Sequence, residues 1–397
     1  MLKSDKDSLK ITDEYPTAIA KDFRVFLRYL EENKVKLTRA SGYITRKDLK
    51  VIYSSMSEPK LVVSEKGNQP DYPLIHLFYH LAITLELVGK ESMSGGEVLV
   101  VDVERVSLFK ELPISGQFFS LLIAFWIEVD WDLLQEGYHK GAPDNILFLF
   151  EQLESHPAGK VIELSKYDIL QQLLSRFEHF LHYFYYFGLW DVKIDEQKSY
   201  QPGSVKHKQA KSIKLTPFYK LLEETLNETW DALDPPDFDF LSIFTGITTE
   251  VEVEESLTKE ERKALFLSLI KPLVLEGESL QVLAKKEQTF VEGVYCFTVK
   301  EEGGRLRKIE LDGEHTLFDL HQSIQDEFEL DDDHLYSFYM DGKKFSKNCY
   351  NSTRDYMGPY VTDAKIGRLN LCEGQKFLYL YDFGEEWEFY ITVENSK

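Results

Sequence analysis

Few residues in this chain have types and spacings that could do chemistry. Asp331-Asp332-Asp333-His334 places three carboxylates and an imidazole in a row, donors that suit a divalent cation. The D-x-D-x-D-G spacing of a calcium loop is missing, so the plainer reading is a turn of solvated aspartates after a helix, and no metal is expected. His321 borders an apolar helical stripe, where it serves either as a satisfied structural histidine or, with His334, as part of a polar site. The run Tyr381-Asp382-Phe383-Gly384-Glu385-Glu386-Trp387 reads as a turn between strands. Asp382 can accept backbone N–H bonds there and Gly384 can supply a positive φ. The functional alternative is an acidic, aromatic rim in which Asp382 and Glu385 meet a partner. Glu178-His179 with His182 gives H-x-x-H, whereas a zinc protease helix needs H-E-x-x-H with the histidines four apart. The neighbours Phe177, Phe180, Leu181 and Phe184 point to core packing instead.

No phosphate-binding glycine loop, dinucleotide fingerprint or G-x-S-x-G elbow occurs in the sequence. The cysteines, Cys296, Cys349 and Cys372, have no C-x-x-C spacing and read as incidental thiols of a reducing compartment. No catalytic residue and no cofactor is therefore expected. Two basic stretches carry no acid. Residues 33–47 hold Lys34, Lys36, Arg39, Arg46 and Lys47, and residues 197–222 hold six lysines. Within the second, Lys206, Lys208, Lys211 and Lys214 are candidates for phosphate contacts, and a solvated loop on an acidic protein is the alternative.

The 397 residues carry 46 basic and 68 acidic side chains, a net charge of −22, with 14% aromatic residues. That length suits two or three domains. The aromatic content argues for packed cores rather than disorder. The charge excludes a generally basic nucleic-acid coat protein but leaves room for a local basic site. The first residues are polar and lack a signal-peptide core, and no apolar run reaches the length of a membrane span. A soluble, cytoplasmic protein is expected, with no membrane partner.

The elements that would position these residues fall into two kinds. Up to about residue 275 the periodicity is mainly helical. Phe23, Phe26, Leu27 and Leu30 mark one helix, and residues 74–88, 115–134 and 167–187 read as long buried helices. A weak internal repeat is visible. A buried helix ends in Leu87-Val88, followed by a loop, an apolar strand and a helix start. The same order follows Gly188-Leu189-Trp190. Helix, hairpin, helix is the order of a winged-helix unit. Asp234-Pro235-Pro236-Asp237 reads as a break, and residues 276–288 as a polar linker.

From residue 291 the period changes to that of strands. Residues 294–299 and Leu306, Ile309 and Leu311 mark a hairpin. Thr316 and Asp319 form a capping box before a helix carrying Leu317, Leu320, Ile324 and Phe328. Residues 335–340 follow as a strand. Asp341-Gly342 is a hairpin signal in which both turn positions take φ > 0. A last hairpin joins 377–381 to 387–393, with Trp387, Phe389, Ile391 and Val393 alternating onto one face that should be buried. This order is that of a ubiquitin-like β-grasp roll. The blocks Ile309, Thr316-Leu317, Leu320-His321, Ile324-Gln325, Phe328, Asp333-His334-Leu335, Phe338 and Tyr381-Asp382-Phe383-Gly384 with Trp387 resemble the plasmid pRiA4b ORF-3-like family. The resemblance covers about the last quarter of the chain. It implies an α+β fold, frequent proximity to mobile elements and no established activity. Members often carry Trp at the position of Leu330 and His at that of Phe389, and this chain has neither.

The expected architecture is an α+β multidomain protein. Residues 1–160 and 161–275 would be helical, winged-helix-like parts, 276–290 a linker, and 291–397 the β-grasp-type roll. The expected function is non-enzymatic binding, as an adaptor for another protein. The rival readings are a DNA-binding regulator linked to a mobile element, with weak nucleic-acid contact through the lysine-rich loop, and an enzyme with an unrecognised site in the C-terminal domain.

Overall fold

A computed structural model of the protein describes residues 9–57, 67–93, 96–135, 142–166, 168–200, 207–230, 257–274, 280–286, 290–331, 334–346, 348–355 and 359–394. The Asp234–Asp237 break, Lys206, Asp332 and Asp333 lie outside the described residues. The chain is a mixed α/β protein with antiparallel sheets, and it separates into two compact units, Met1–Lys285 and Lys286–Lys397.

In the first unit the chain runs α1 (Ile19–Glu32), α2 (Arg46–Ser54), α3 (Pro73–Thr84), the hairpin β1 (Val88–Met93) and β2 (Gly96–Val101), and then α4 (Val103–Glu111). It continues through α5 (Ile114–Ile123), the short α6 (Trp131–Leu134), α7 (Ala142–Glu154) and β3 (Val161–Glu163). Then follow α8 (Asp168–Tyr186), the hairpin β4 (Trp190–Tyr200) and β5 (His207–Leu215), α9 (Pro217–Glu228) and α10 (Lys259–Ile270). One cluster of buried side chains runs through all of it, from Leu9 to Leu283. Amphipathic helices have nowhere else to bury their apolar stripes.

Two long helices expected from the sequence are interrupted. The expected 115–134 helix ends at Ile123, widens into a π-helical turn at Ala124–Glu128, and resumes only as α6. Bulky Phe125, Trp126 and Trp131 are all buried there, and the wider turn and the break turn them toward one aromatic cluster. α8 is kinked at Phe177, whose φ of −123° and ψ of 22° are not helical. Among the described residues no single helix is long and apolar enough to cross a membrane. Val103–Glu111 and Ile114–Glu128 pass that test only as a pair, bent by 119°.

The repeat hinted at by the sequence recurs in the backbone. After α3, Glu86 has a φ of 56° and the Leu87 N–H bonds to the Ala82 carbonyl at 2.9 Å. After α8, Gly188 has a φ of 77° and the Leu189 N–H bonds to the Phe184 carbonyl at 3.0 Å. Each pair lies 102 residues apart (Ala82 to Phe184, Leu87 to Leu189). The residue after each hairpin then returns: Asp102 N–H to Leu87 O at 3.0 Å, and Thr216 N–H to Leu189 O at 3.1 Å. Both are N-caps, accepting from the backbone of Arg105 and Tyr219. A further segment pairs with each hairpin, as an isolated bridge in the first and as a strand in the second. Lys36 bridges Val98, and β3 pairs with β5 in the order β3-β5-β4.

In the second unit a hairpin, β6 (Val294–Glu301) and β7 (Leu306–Asp312), precedes α11 (Leu317–Phe328). It is followed by β8 (Tyr336–Tyr339), β9 (Cys349–Asn351), β10 (Lys376–Tyr381) and β11 (Trp387–Val393). The sheet order is β7-β6-β11-β10-β8-β9, every neighbour antiparallel. The capping box forms, with Thr316 N–H donating to Asp319 at 2.6 Å and Asp319 N–H to Thr316 Oγ1 at 3.4 Å. The α11 stripe of Leu317, Leu320, Ile324 and Phe328 packs with Phe297, Tyr379, Phe389 and Ile391.

Three expectations for this unit are corrected. Trp387 is 43% exposed, whereas Phe389, Ile391 and Val393 are buried. Phe328, at the end of α11, meets Phe389, and Trp387 lies two residues beyond that cover. The last turn takes its left-handed residues at Asp382 (φ 56°) and Glu386 (φ 53°) and not at Gly384. At Asp341-Gly342 only Gly342 has positive φ (71°). The connection is a longer loop in which Asp341 accepts from Lys343 N–H and the Ser346 hydroxyl.

Candidate functional site

The predicted site residues of the second unit divide between its core and one end of its sheet. His321 is 2% exposed. Its helix face turns it under the sheet, where Nδ1 meets the Tyr379 hydroxyl at 2.8 Å and the ring stacks on Tyr336 at 3.5 Å. Burial holds the Tyr379 phenol well above its ordinary range, so it stays neutral and hydrogen-bonded. His321 is thus a polar pin between helix and sheet.

His334, Asp382 and Glu385 are brought together at the sheet end where β10 turns into β11. His334 Nδ1 lies 3.4 Å from Asp382 Oδ2, and its ring stands edge-on to Tyr381 at 5.6 Å. Asp382 also holds the turn, with Oδ1 accepting from Gly384 N–H at 2.9 Å and Glu385 N–H at 3.4 Å, while its own N–H bonds to Leu335 O at 3.0 Å. The Tyr381 hydroxyl donates to the Asp331 carbonyl. Half-exposed His334, exposed Glu385 and exposed Trp387 therefore share this tip with a carboxylate already seated. Tyr379 and Tyr381 stand between His321 and His334, so the two histidines do not form one cluster. Such a tip offers acceptors, an imidazole and an indole face, which suits recognition of a basic or polar peptide group. Among the described residues no group of three or more His, Cys, Asp or Glu is placed to hold a metal ion.

A neighbouring network escaped the sequence reading. Lys344 reaches across to Glu386 at 2.6 Å and to Glu388, which also accepts from the Tyr390 hydroxyl. These carboxylates raise the Lys344 pKa. Phe345 beside it is 62% exposed and Tyr390 47%. The period-two alternation of Glu388 and Tyr390 opposite Phe389 and Ile391 was the signal for this outer face.

In the first unit, Lys211 and Lys214 are exposed on β5. Lys208 lies on the same strand and its side chain is outside the description. The sheet brings acids to β5 that the linear stretch lacks. Lys214 lies directly across from Asp191, Gln209 from Asp195, and Ser212 from both Lys193 and Glu163. The helices preceding each hairpin are buried. From Pro73 to Ala82, α3 is buried throughout, and so is α8 from Phe177 to Phe184. These two helices pack against each other. His76 on α3 meets Gln69 at 3.1 Å and the Leu133 carbonyl at 3.2 Å, and His179 on α8 meets the Leu134 carbonyl at 2.8 Å. The His80 ring stands edge-on to His76, with centroids 4.6 Å apart. Burial lowers the His80 pKa to about 3 and depresses His76 as well. Glu178, whose carboxyl accepts from the Ala210 N–H of β5, is pushed up by burial to about 8. The H-x-x-H of α8 is core packing, and the His76/His80 spacing in α3 was the missed sign of a polar seam.

Residues 302–397 match the family model of the plasmid pRiA4b ORF-3-like protein, the family that the C-terminal blocks resemble. A solved structure of a protein of unknown function, MM3350 from Methanosarcina mazei Go1, is 27% identical, with a TM-score of 0.23. The match covers 28% of this chain and 64% of that chain, so this chain spans less than two thirds of its length. No curated protein matches.

Proposed function

We propose that the protein is a non-enzymatic binding or adaptor protein in which the ORF-3-like unit recognises another protein through its His334–Asp382–Glu385–Trp387 tip. The observation that carries this reading is the mutual burial of α3 and α8. The recurrent buried helix, left-handed exit, hairpin and N-capped helix support two winged-helix-like modules in the first unit. In such a module the helix before the hairpin reads the major groove. Here both of these helices are spent on each other. Asp191 across from Lys214 further weakens the wing as a phosphate contact. The hairpin–helix–strand order of the second unit supports a β-grasp-type roll with its last hairpin set antiparallel in mid-sheet. A cytoplasmic location accords with the acidic composition and the free cysteines.

Affinity capture from the native host tests the reading. A protein retained by the wild-type chain should be lost from a Trp387→Ala, Glu385→Lys chain with an unchanged melt. Fluorescence anisotropy with random duplex should show affinity weaker than ~10 μM at physiological salt. Submicromolar duplex binding that disappears when Lys206, Lys208 and Lys211 are changed to Glu would replace the adaptor by a DNA-binding regulator.

A further inference from the structure

Part of the stretch whose composition reads as a linker is seated on the first unit. Residues 280–286 belong to no helix or sheet among the described residues. Leu283 is 5% exposed and joins the core cluster, with Leu280 and Val282 packed partly against it. The Leu283 N–H donates to Ser120 Oγ at 2.8 Å, and Arg105 Nη2 donates to the Ala284 carbonyl at 3.0 Å. A Cβ on Gly116 would overlap the Gln281 carbonyl oxygen. Gly116 lies in the first turn of α5, and the close passage of this segment is what its missing side chain permits.

The groups that receive the segment are oriented without it. Arg105 is held at the exit of α3 by the Leu85 carbonyl at 2.6 Å and stands 3.7 Å from Glu86. The Ser120 hydroxyl is directed by its bond to the Gly116 carbonyl at 2.7 Å. A cleft with prealigned polar groups and one apolar socket is how extended peptides are taken up. The segment itself is lightly held, because Leu283 is its one fully buried side chain, Gln281 and Ala284 are exposed, and the Lys285–Glu260 ion pair is solvent-exposed.

We propose that residues 280–285 are a releasable latch. They are the resident occupant of a preformed groove, between α4 and α5, for an extended segment with an apolar anchor. Tethered at both ends, the latch acts at an effective concentration on the order of millimolar. A competing segment in trans therefore gains the groove only where the latch is weakened. The groove lies in the first unit and does not depend on the tip proposed above as a recognition surface.

Limited digestion of the full chain by thermolysin, which cuts before apolar residues, reads the latch at Leu280 and Val282, sites that every variant below keeps. When opening is fast relative to cleavage, the rate follows the open population. Leu283→Ser should speed cleavage at Leu280 and Val282 at least tenfold, with α4 and α5 uncut and circular dichroism unchanged. Gly116→Val should do the same from the groove side. A labelled peptide of residues 277–286 should bind the Leu283→Ser chain, and should bind neither wild type nor Gly116→Val. The proposal is overturned if Leu283→Ser is cleaved at the wild-type rate, or if cuts spread through 103–128, which would make the segment ordinary core. It is equally overturned if the peptide fails to bind a Leu283→Ser chain that is folded as the wild type.

Discussion

Trp387 and Phe389 point to the same side of one strand, yet only the second is under the helix. Removing a buried Phe costs ~3–5 kcal/mol through lost transfer energy and the cavity left behind. Phe389→Ala should lose that much in a denaturant titration, and Trp387→Ala less than ~1 kcal/mol, as surface substitutions do. Equal losses would mean that the tip is part of the core. The buried seam of the first unit makes a second prediction, in pH. Glu178 titrates near 8 in the folded protein against an ordinary 4.5. Its folded form therefore keeps a proton that the unfolded chain has released. The stability this contributes is full below 4.5 and lost as pH rises through 8. His80 works oppositely, falling from 6.5 to about 3. Its contribution is full above 6.5 and lost as pH falls toward 3. Between 4.5 and 6.5 the two slopes oppose each other, and between 6.5 and 8 Glu178 acts alone, at up to about 1.4 kcal/mol per pH unit. Tryptophan fluorescence reports this unit through Trp126, Trp131, Trp190 and Trp230. The isosteric Glu178→Gln should flatten the slope between pH 6.5 and 8, and a slope that survives it belongs to another group.

At the scale of elements, the two helix exits are the sharpest comparison. Gly188 and Glu86 occupy equivalent left-handed positions, but only one is glycine. A non-glycine residue in that region is strained by ~1–2 kcal/mol. Glu86→Gly should therefore gain up to about 1 kcal/mol. Gly188→Ala should lose more than the backbone term alone, because its Cβ would stand 2.6 Å from the Pro16 side chain. Equilibrium unfolding of both variants checks the repeat as a physical equivalence, and a neutral Gly188→Ala would contradict it. Local signals of this kind were legible in the sequence. The Thr316/Asp319 box, the α11 stripe and the alternation of β11 each depend on residues a few positions apart, and each stands where the spacing put it. The burial of Trp387 was not legible, since it depends on where α11 stops. The acid facing Lys214 was not legible either, since strand register brings Asp191 across from it. Nor was the burial of α3 on α8. An apolar helix shows that something covers it, and only the tertiary fold shows that the cover is its own repeat.

At the scale of the whole molecule, the chain carries a net charge of −22, and the two units hold separate cores. The second closes its own start. The Val291 N–H bonds to the Gly367 carbonyl at 2.9 Å, and the Phe290 ring lies against Gly367, where a Cβ would come within 2.6 Å of it. With six strands and a helix among its described residues, packed about a main apolar cluster and a smaller one on the other sheet face, this unit has what an independently folding domain needs. A fragment of residues 286–397 should therefore melt cooperatively, at a midpoint matching one transition of the full chain. A fragment beginning at 294 lacks Phe290 and the Val291 bond while keeping every strand, so it should melt several degrees lower, since 1 kcal/mol shifts a domain of this size by ~4–8 °C. Differential scanning calorimetry of both fragments and the full chain decides it. If the 286–397 fragment melts without cooperativity while the full chain gives a single sharp transition, the second unit depends on the first for its fold, and its boundary at Lys286 is geometric rather than energetic.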